Sequence, residues 1–353
     1  MSVPCHIFEE CPLDEKWDAF VEASPSGTLF SLAGYMRAVR APVRAFWCLR
    51  RKERRAAVVV CESADHASSV PHDFIIHNGL LFAPPAPQQN RSQIISERFD
   101  IASAAAAFLA GRYERVELAL APQCRDIRPF LWHNWGTGKA MYRADVRYTA
   151  YADLTGFAGA EAPEEIPLFA ELSCSRRQEV RKARKEHAHT TEEGDANGLT
   201  AFYALTLRRQ NIEPEPERLE ELRFFAADLL SAGMARLFVA CMPGGAPAAM
   251  ALFGRDAKRA YYLFGAGDPA LRGTPCGTVV LWDAFAALAR SGCRELDMEG
   301  VNSPQRGWFK LSFGAELLPY YRLVLEHGAR QPFADEVRLR MATAEARDPI
   351  MNA

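Results

Sequence analysis

Hydrophobic and polar positions follow two different periods along this chain, one helical and one of strand type. Apolar residues recur at helical spacing between residues 278 and 290 and predict a helix there. The run RAYYLFG at 259–265, rich in aromatic residues, predicts a strand. From residue 171 onward the pattern predicts helices at 171–186, 199–210, 216–233, 278–290 and 304–313, and strands at 235–242, 248–254, 259–265, 295–299 and 317–325.

The first half of the chain mixes the same elements less regularly. The pattern predicts two helices within 16–39, a helix at 94–113, and strands at 43–49, 56–61, 74–82, 115–120 and 146–154. A polar, proline-containing stretch at 155–167 then predicts a domain boundary. The fold class expected is therefore α/β with mixed sheets. We expect one domain over residues 1–155, a second over 168–330, and a peripheral tail at 331–353.

Composition narrows the class of protein. The 353 residues suffice for two cores, and 49% apolar with 24% charged residues is typical of a globular protein. A net charge of −2 does not by itself indicate a nucleic-acid partner. The first residues lack a basic-then-apolar signal, and the apolar stretch at 101–110 is too short for a bilayer, so we expect a cytoplasmic protein without a membrane span. Neither CxxC nor HExxH occurs, so no metal is expected.

Three segments carry a family resemblance. They are LRRQNIEP at 207–214, YYLFGAGDPALRGTPCGTVVLWDA at 261–284 and LDMEGVNSPQRGWFKLSFGAELLPY at 296–320. Together they resemble the Fem-type branch of the GNAT acyltransferases. The resemblance implies two GNAT-like lobes in tandem with a cleft between them. It also implies a donor that is either acyl-CoA or aminoacyl-tRNA. No long coiled-coil arm interrupts the second half, so the chain resembles a short, compact member.

The loop that follows the strand at 259–265 is a candidate phosphate site, because it opens a helix whose first N–H groups lack helical acceptors. Compared with the usual GNAT pyrophosphate signature, it keeps Arg272 and Gly277, but Pro275 replaces a glycine and has no N–H to donate. The alternative is a plain surface turn. The candidate donor-binding residues here are Arg272, Gly273, Thr274, Cys276, Gly277 and Thr278.

A Phe-Lys pair follows at Phe309 and Lys310. In the Fem-type branch such a pair lies at the donor site, so the resemblance implies that Lys310 faces the donor phosphate and the developing negative charge. A fixed positive charge in a partly dry cleft stabilises such charge far better than it does in water. The alternative is an amphipathic helix that buries Trp308, Phe309 and Phe313 and leaves Lys310 in solvent.

Asp297 and Glu299 are two apart in a predicted strand and therefore share one face. Two carboxylates buried together raise each other's pKa. Transfer of an acyl group to an amine requires a base for the amine proton, and Glu299, at the strand end, is the preferred candidate, with Asp297 second. The alternative is that both acids pair with arginines, for which Arg294, Arg306 and Arg322 are the candidates.

A basic helix at Arg176–Lys185 favours either an RNA contact or a solvated charged face. The function predicted is N-acyl transfer to an amine by direct attack. The lack of a coiled-coil arm and of overall basic charge favours acyl-CoA, while the Phe-Lys pair, Pro275 and the basic helix favour aminoacyl-tRNA. The acceptor expected is an amine-bearing small molecule, peptide or glycan precursor. The hypothesis of another class is a non-catalytic binding module with the same fold.

Overall fold

The computed structural model describes residues 6–192 and 195–327. It has a mixed α/β architecture in two lobes, which confirms the predicted fold class. The tail predicted at 331–353 lies outside the described residues. The strands form one sheet of five and another of eight.

The N-terminal half alternates short helices with antiparallel strands. Its strands are β1 (Ile7–Glu10), β2 (Val43–Arg50), β3 (Glu53–Glu62), β4 (Ser69–Val70), β5 (Gly79–Phe82), β6 (Arg115–Ala119) and β7 (Arg143–Asp153). Its helices are α1 (Glu15–Ala23), α2 (Ala33–Val39), α3 (Arg91–Arg112) and α4 (Arg128–Leu131). Helix α3 begins where Asn90 and Gln93 form a reciprocal capping box.

The C-terminal half follows the predicted order with small changes at the element ends, and it adds a short helix at Pro167–Glu171 and a strand at His189–Glu192 that the pattern did not predict. Its helices are α5 (Pro167–Glu171), α6 (Cys174–Lys185), α7 (Ala196–Arg209), α8 (Pro216–Ser231), α9 (Cys276–Arg290) and α10 (Pro304–Leu311). Its strands are β8 (His189–Glu192), β9 (Ala235–Cys241), β10 (Pro247–Arg255), β11 (Ala260–Gly267), β12 (Glu295–Asp297) and β13 (Glu316–Glu326). The apolar stripe of α9 lies in the core of this half.

Two long strands connect the halves. The larger sheet runs in the order β6-β13-β7-β12-β11-β10-β9-β8. Strand β7 from the first half therefore lies between β12 and β13 from the second, and β13 in turn pairs with β6. The proposed boundary at 155–167 follows β7 in sequence and stays a prediction.

A shared core joins the lobes. Trp17, Phe30 and Tyr35 of the first half pack in one apolar cluster with Phe225 and Tyr261 of the second. Lys258, in the turn between β10 and β11, donates hydrogen bonds to the carbonyls of residues 21, 24 and 27 in the first half. The two lobes therefore hold each other at fixed positions around the site described next.

One predicted strand was too long. The strand expected at 74–82 begins only at Gly79. Before it, the Asn78 N–H donates to the Ala119 carbonyl, and the Asn78 side-chain oxygen accepts from the Ala119 N–H. The Ile75 N–H donates to the His72 carbonyl and closes a turn. The apolar residues at 74–76 therefore belong to a packed loop. Periodicity alone cannot distinguish such a loop from a strand.

Candidate active site

Two parallel strands separate at the candidate site. β11 and β12 pair only at Ala260 with Leu296 and at Tyr261 with Asp297. Beyond these pairs β11 continues beside β10, whereas the chain after Asp297 follows β7. The separation leaves main-chain groups of β11 without a strand partner on that side, next to Tyr262.

Asp297, the last residue of β12, is fully buried. Its Oδ1 accepts hydrogen bonds from the Thr149 hydroxyl and from the Glu299 N–H, the latter at 2.7 Å. Its Oδ2 is buried without a hydrogen-bond partner among the described residues. Burial raises the pKa of Asp297 to about 6, against the lowering effects of these hydrogen bonds and of Arg259 and Lys310.

Glu299 lies outside the strand, which corrects the predicted extent of 295–299. The strand ends because the Asp297 side chain captures the Glu299 N–H, as in an Asx turn, and Glu299 then adopts a left-handed φ of 57°. Such a φ is uncommon for a residue other than glycine and is found preferentially at functional sites. The residue is buried, at 6% exposure, and Oε1 has no hydrogen-bond partner within the described residues.

Charges surround the Glu299 carboxyl. Burial raises its pKa well above the usual value, Asp297 raises it further, and the positive charge of Lys310 opposes both. The pKa of Lys310 is lowered by burial and by Arg306, while Glu299 and Asp297 raise it. The expected alternative, pairing of the two acids with Arg294, Arg306 or Arg322, does not occur among the ion pairs of the described residues. Arg322 instead pairs with Glu117.

Around helix α10, Phe309 and Phe313 follow the amphipathic alternative, but Trp308 and Lys310 do not. Lys310 points inward, with Nζ 5.3 Å from the centre of the Tyr262 ring. Trp308 is 76% exposed, whereas Phe309 and Phe313 pack inward. A lysine turned inward beside a carboxylate, with an exposed tryptophan nearby, is the reverse of what burial of apolar area alone would produce.

Tyr262 keeps its place because of a glycine. A Cβ on Gly265 would come within 1.7 Å of the Tyr262 hydroxyl, so a side chain there would displace the ring. The hydroxyl pKa of Tyr262 is raised by burial and by Glu299. The Lys310 side chain therefore packs against the Tyr262 ring.

The predicted donor loop precedes α9 directly, and its residues divide into two groups. Arg272, Gly273 and Gly277 are exposed, whereas the side chains of Cys276 and Thr278 are buried. The Thr274 hydroxyl donates to the Leu271 carbonyl at 2.7 Å. Pro275 occupies the N-cap position, and no side chain caps the helix.

Arg176 joins this loop to α10. Its guanidinium donates to the hydroxyls of Thr278 and of Ser312, the latter at 3.0 Å, and pairs with Glu179 at 2.5 Å. It also lies 5.0 Å from the Phe309 ring centre. The structure thus brings the loop and Phe309 together through a residue that the sequence placed in a solvated or RNA-binding cluster.

The rest of the basic helix is largely paired within the chain. Arg181 forms an ion pair with Glu164 at 2.8 Å. Arg184 forms one with Asp283 at 2.9 Å. These exposed pairs reduce the positive potential that α6 offers to a polyanion.

Sequence reasoning missed a contribution from the N-terminal half. The His77 Nε2 lies 3.9 Å from Asp297 Oδ2, and both atoms are buried without a hydrogen-bond partner among the residues described. Burial and Arg259 lower the pKa of His77 to about 3, with the Leu120 backbone acting in the opposite direction, so the ring is neutral at neutral pH. The available signal was a histidine next to an asparagine within the mostly apolar run FIIHNGLLF.

A prominent cavity lies away from these residues. It has a volume of about 690 Å³ and is lined by residues of α8 and β9, including the ion pair between Glu192 and Arg236. It contains none of the candidate residues. The buried charges, rather than cavity size, identify the site.

Replacing Asp297 with asparagine is expected to stabilise the protein above pH 6. A carboxyl with a pKa of about 6 when folded and 3.8 as a free group binds more protons in the folded state. Stability is therefore lost as pH rises from about 4 through 6, by about 2–3 kcal/mol. Asparagine keeps the acceptor for Thr149 and for the Glu299 N–H. Urea unfolding of both proteins between pH 4 and 8 tests this, and a difference in unfolding free energy that does not change with pH would contradict it.

Comparisons with known proteins agree with this geometry. Residues 175–306 match the model of the acetyltransferase (GNAT) domain. The crystal structure of FemX superposes with a TM-score of 0.63 at 12% identity, covering 89% of this chain and 96% of that one. Residues 175–306 thus match a GNAT acetyltransferase domain, and the chain has a fold like that of FemX.

Two further structures extend the comparison. A tandem GNAT protein from the clavulanic acid biosynthesis pathway has a TM-score of 0.51 at 13% identity, covering 92% of this chain and 99% of that one. The L-PGS of Bacillus licheniformis has a TM-score of 0.51 at 14% identity, with 92% and 96% covered. A search of curated protein sequences finds no match. These similarities establish the Fem-like tandem GNAT fold, and the domain match supports acyl transfer in general.

The described part of this GNAT-fold chain contains no helix that is both long and apolar enough to cross a membrane.

Proposed function

We propose that this protein transfers an activated acyl group from acyl-CoA to an amine by direct attack, without a covalent enzyme intermediate. The observation that carries the proposal is the buried Glu299 with the half-buried, inward-pointing Lys310 beside Tyr262, where β11 and β12 separate. A carboxylate with a raised pKa and a fixed cation supply the two groups that the reaction needs.

The reaction assigns one task to each group. The amine nitrogen forms a bond to the acyl carbon, and the bond from that carbon to the thioester sulfur breaks. Glu299 accepts the proton that the nitrogen loses, for which a carboxyl with a raised pKa is well suited. Lys310 stabilises the negative charge that develops on the acyl oxygen and the leaving group.

The donor phosphates are assigned to the exposed part of the loop before α9. The N–H groups of Cys276 and Gly277 precede the first helical hydrogen bonds, and Lys182 Nζ lies 3.3 Å from the Gly273 carbonyl oxygen. Positive charge and free donors at a helix N-terminus favour phosphate. Pairing of Arg181 and Arg184 within the chain favours the small donor, acyl-CoA, over aminoacyl-tRNA.

Calorimetric titration with coenzyme A and with charged tRNA tests the donor. Gly277→Pro removes one N–H at a position where a helix tolerates proline, and is expected to weaken coenzyme A binding about tenfold, equivalent to about 1.4 kcal/mol. Gly277→Ala is the matched control, because it keeps the N–H and its Cβ meets nothing within 4 Å.

Three results would separate the alternatives. Equal coenzyme A affinity in the two Gly277 variants would remove the loop from the donor site. Binding of charged tRNA alone, weakened by Arg181→Glu and Arg184→Glu, would assign the donor as aminoacyl-tRNA. Donor binding without turnover on any amine would favour the non-catalytic binding module.

A further inference from the structure

The outer edge of β7 is open next to the candidate site. β7 pairs with β13 along residues 143–151, but with β12 only over 151–153. The side chains of Arg143 and of residues 145–148 are exposed, with Val146 at 53% and Tyr148 at 40%. The first part of β7 is thus an edge strand in the described structure.

Hydrogen bonds at Tyr148 identify which main-chain groups face outward. The Tyr148 N–H donates to Asn302 Oδ1 at 2.7 Å, and its carbonyl accepts from Asn302 Nδ2 at 3.0 Å and from the Val301 N–H at 3.1 Å. Since outward groups alternate along an antiparallel strand, Ala144 and Val146 present their N–H and C=O on this same edge. Neither has a partner there among the residues described.

Two contacts on β13 confirm this alternation. Pro319, which has no N–H, lies opposite Tyr148, so this pair does not require an N–H from Pro319. Tyr321 lies opposite Val146, and its carbonyl accepts from the Leu120 N–H at 2.9 Å, on the side away from β7. Both observations indicate that the main-chain N–H and C=O of Val146 point away from β13, toward the open edge.

This edge lacks several of the features that usually protect edge strands, although it is short and carries charged side chains on one face. The stretch from Arg143 to Tyr148 contains no lysine or proline, and its pairing with β13 has no register shift. One face carries Ala144, Val146 and Tyr148, and the other carries Arg143, Asp145 and Arg147. A strand added here would meet an apolar surface on one side and charged side chains on the other.

We propose that residues 143–147 bind an extended peptide segment of the acceptor as an added strand. This inference rests on the proposed transfer to an amine and narrows the acceptor to a peptide with alternating apolar and polar residues. Only another extended backbone presents N–H and C=O groups at the repeat of this edge. Farther along the same edge, Val301 and Asn302 bond to the main chain of Tyr148, and both residues follow shortly after Glu299 in the chain.

A second copy of the chain fits this edge less well. Five residues of strand extend about 17 Å. Pairing of two such edges would bury far less than the roughly 1,000 Å² of a stable interface. A peptide substrate needs only transient binding, for which a short edge suffices.

Binding of the synthetic peptide Thr-Val-Thr-Val-Thr, measured by NMR titration without donor, tests the proposal. Val146→Pro removes one outward N–H and leaves the β13 ladder intact, so binding should weaken at least about tenfold. Val146→Ala is the matched control and keeps the N–H. On the parent protein, two peptides N-methylated at alternate residues should differ, with one set abolishing binding and the other retaining it.

The outcomes are distinguishable. Absence of peptide binding, or equal binding of both N-methylated peptides, would overturn the added strand whether or not Val146→Pro folds. Concentration-dependent dimers that Val146→Pro abolishes, seen by sedimentation, would assign the edge to self-association. Edge-dependent peptide binding with no acyl transfer to any amine would support strand addition at this edge, contradict the proposed function and overturn the assignment of the peptide as acceptor.

Discussion

Glu299→Gln is expected to lower turnover by about 10²–10⁴-fold, the usual contribution of a general base. Glutamine keeps the size of the side chain but cannot accept the amine proton. Donor affinity should be unchanged, because the proposed donor-binding residues lie in the loop before α9 and on α9 and α10. Glu316→Gln, an exposed acid on β13, is the matched control.

The pH dependence distinguishes a base from a structural residue. The Glu299 carboxyl must be ionised to accept a proton, so turnover should rise with pH through its pKa. Because burial and Asp297 raise that pKa, the acidic limb should lie above the ordinary carboxyl value of 4.5. Glu299→Gln should lack this limb. A variant with full turnover across the pH range would assign Glu299 to structure and leave Asp297 or water as the base.

Lys310→Met should cost roughly 2–4 kcal/mol of barrier, the range found when one stabiliser of an oxyanion is removed. Methionine keeps the aliphatic contact with Tyr262 and removes only the charge. Part of the loss should appear as weaker donor binding, because donor phosphate in the ground state interacts with the same charge.

Lys310→Met should also change the pH dependence of turnover, but in a different way from Glu299→Gln. The charge of Lys310 lowers the pKa of Glu299, so its removal should raise that pKa and move the acidic limb to higher pH. Lys310→Arg, which keeps the charge, should retain the limb near its original position. A Lys310→Met enzyme with full turnover, or with an unmoved limb, would show that the Phe-Lys resemblance does not extend to function here.

Much of the local structure followed from the sequence. The helix at α9 and the strands β9 and β10 were predicted from periodicity. These features depend on residues close in the chain, where side-chain spacing determines which face is buried. The sequence did not decide whether Lys310 or Trp308 points inward, because both alternatives give α10 the same helical pattern.

The sequence by itself determined the mixed α/β composition, the order of elements and the residue types available for acyl transfer. Only the tertiary structure decided which of them meet. Strand β7 pairs with β12 and β13, which lie more than 140 residues away in the chain, and this pairing places Thr149 on Asp297. His77 reaches Asp297 across 220 residues. Such contacts arise from packing between lobes, and a periodic pattern, which records only which face of an element is buried, does not specify the partner that buries it.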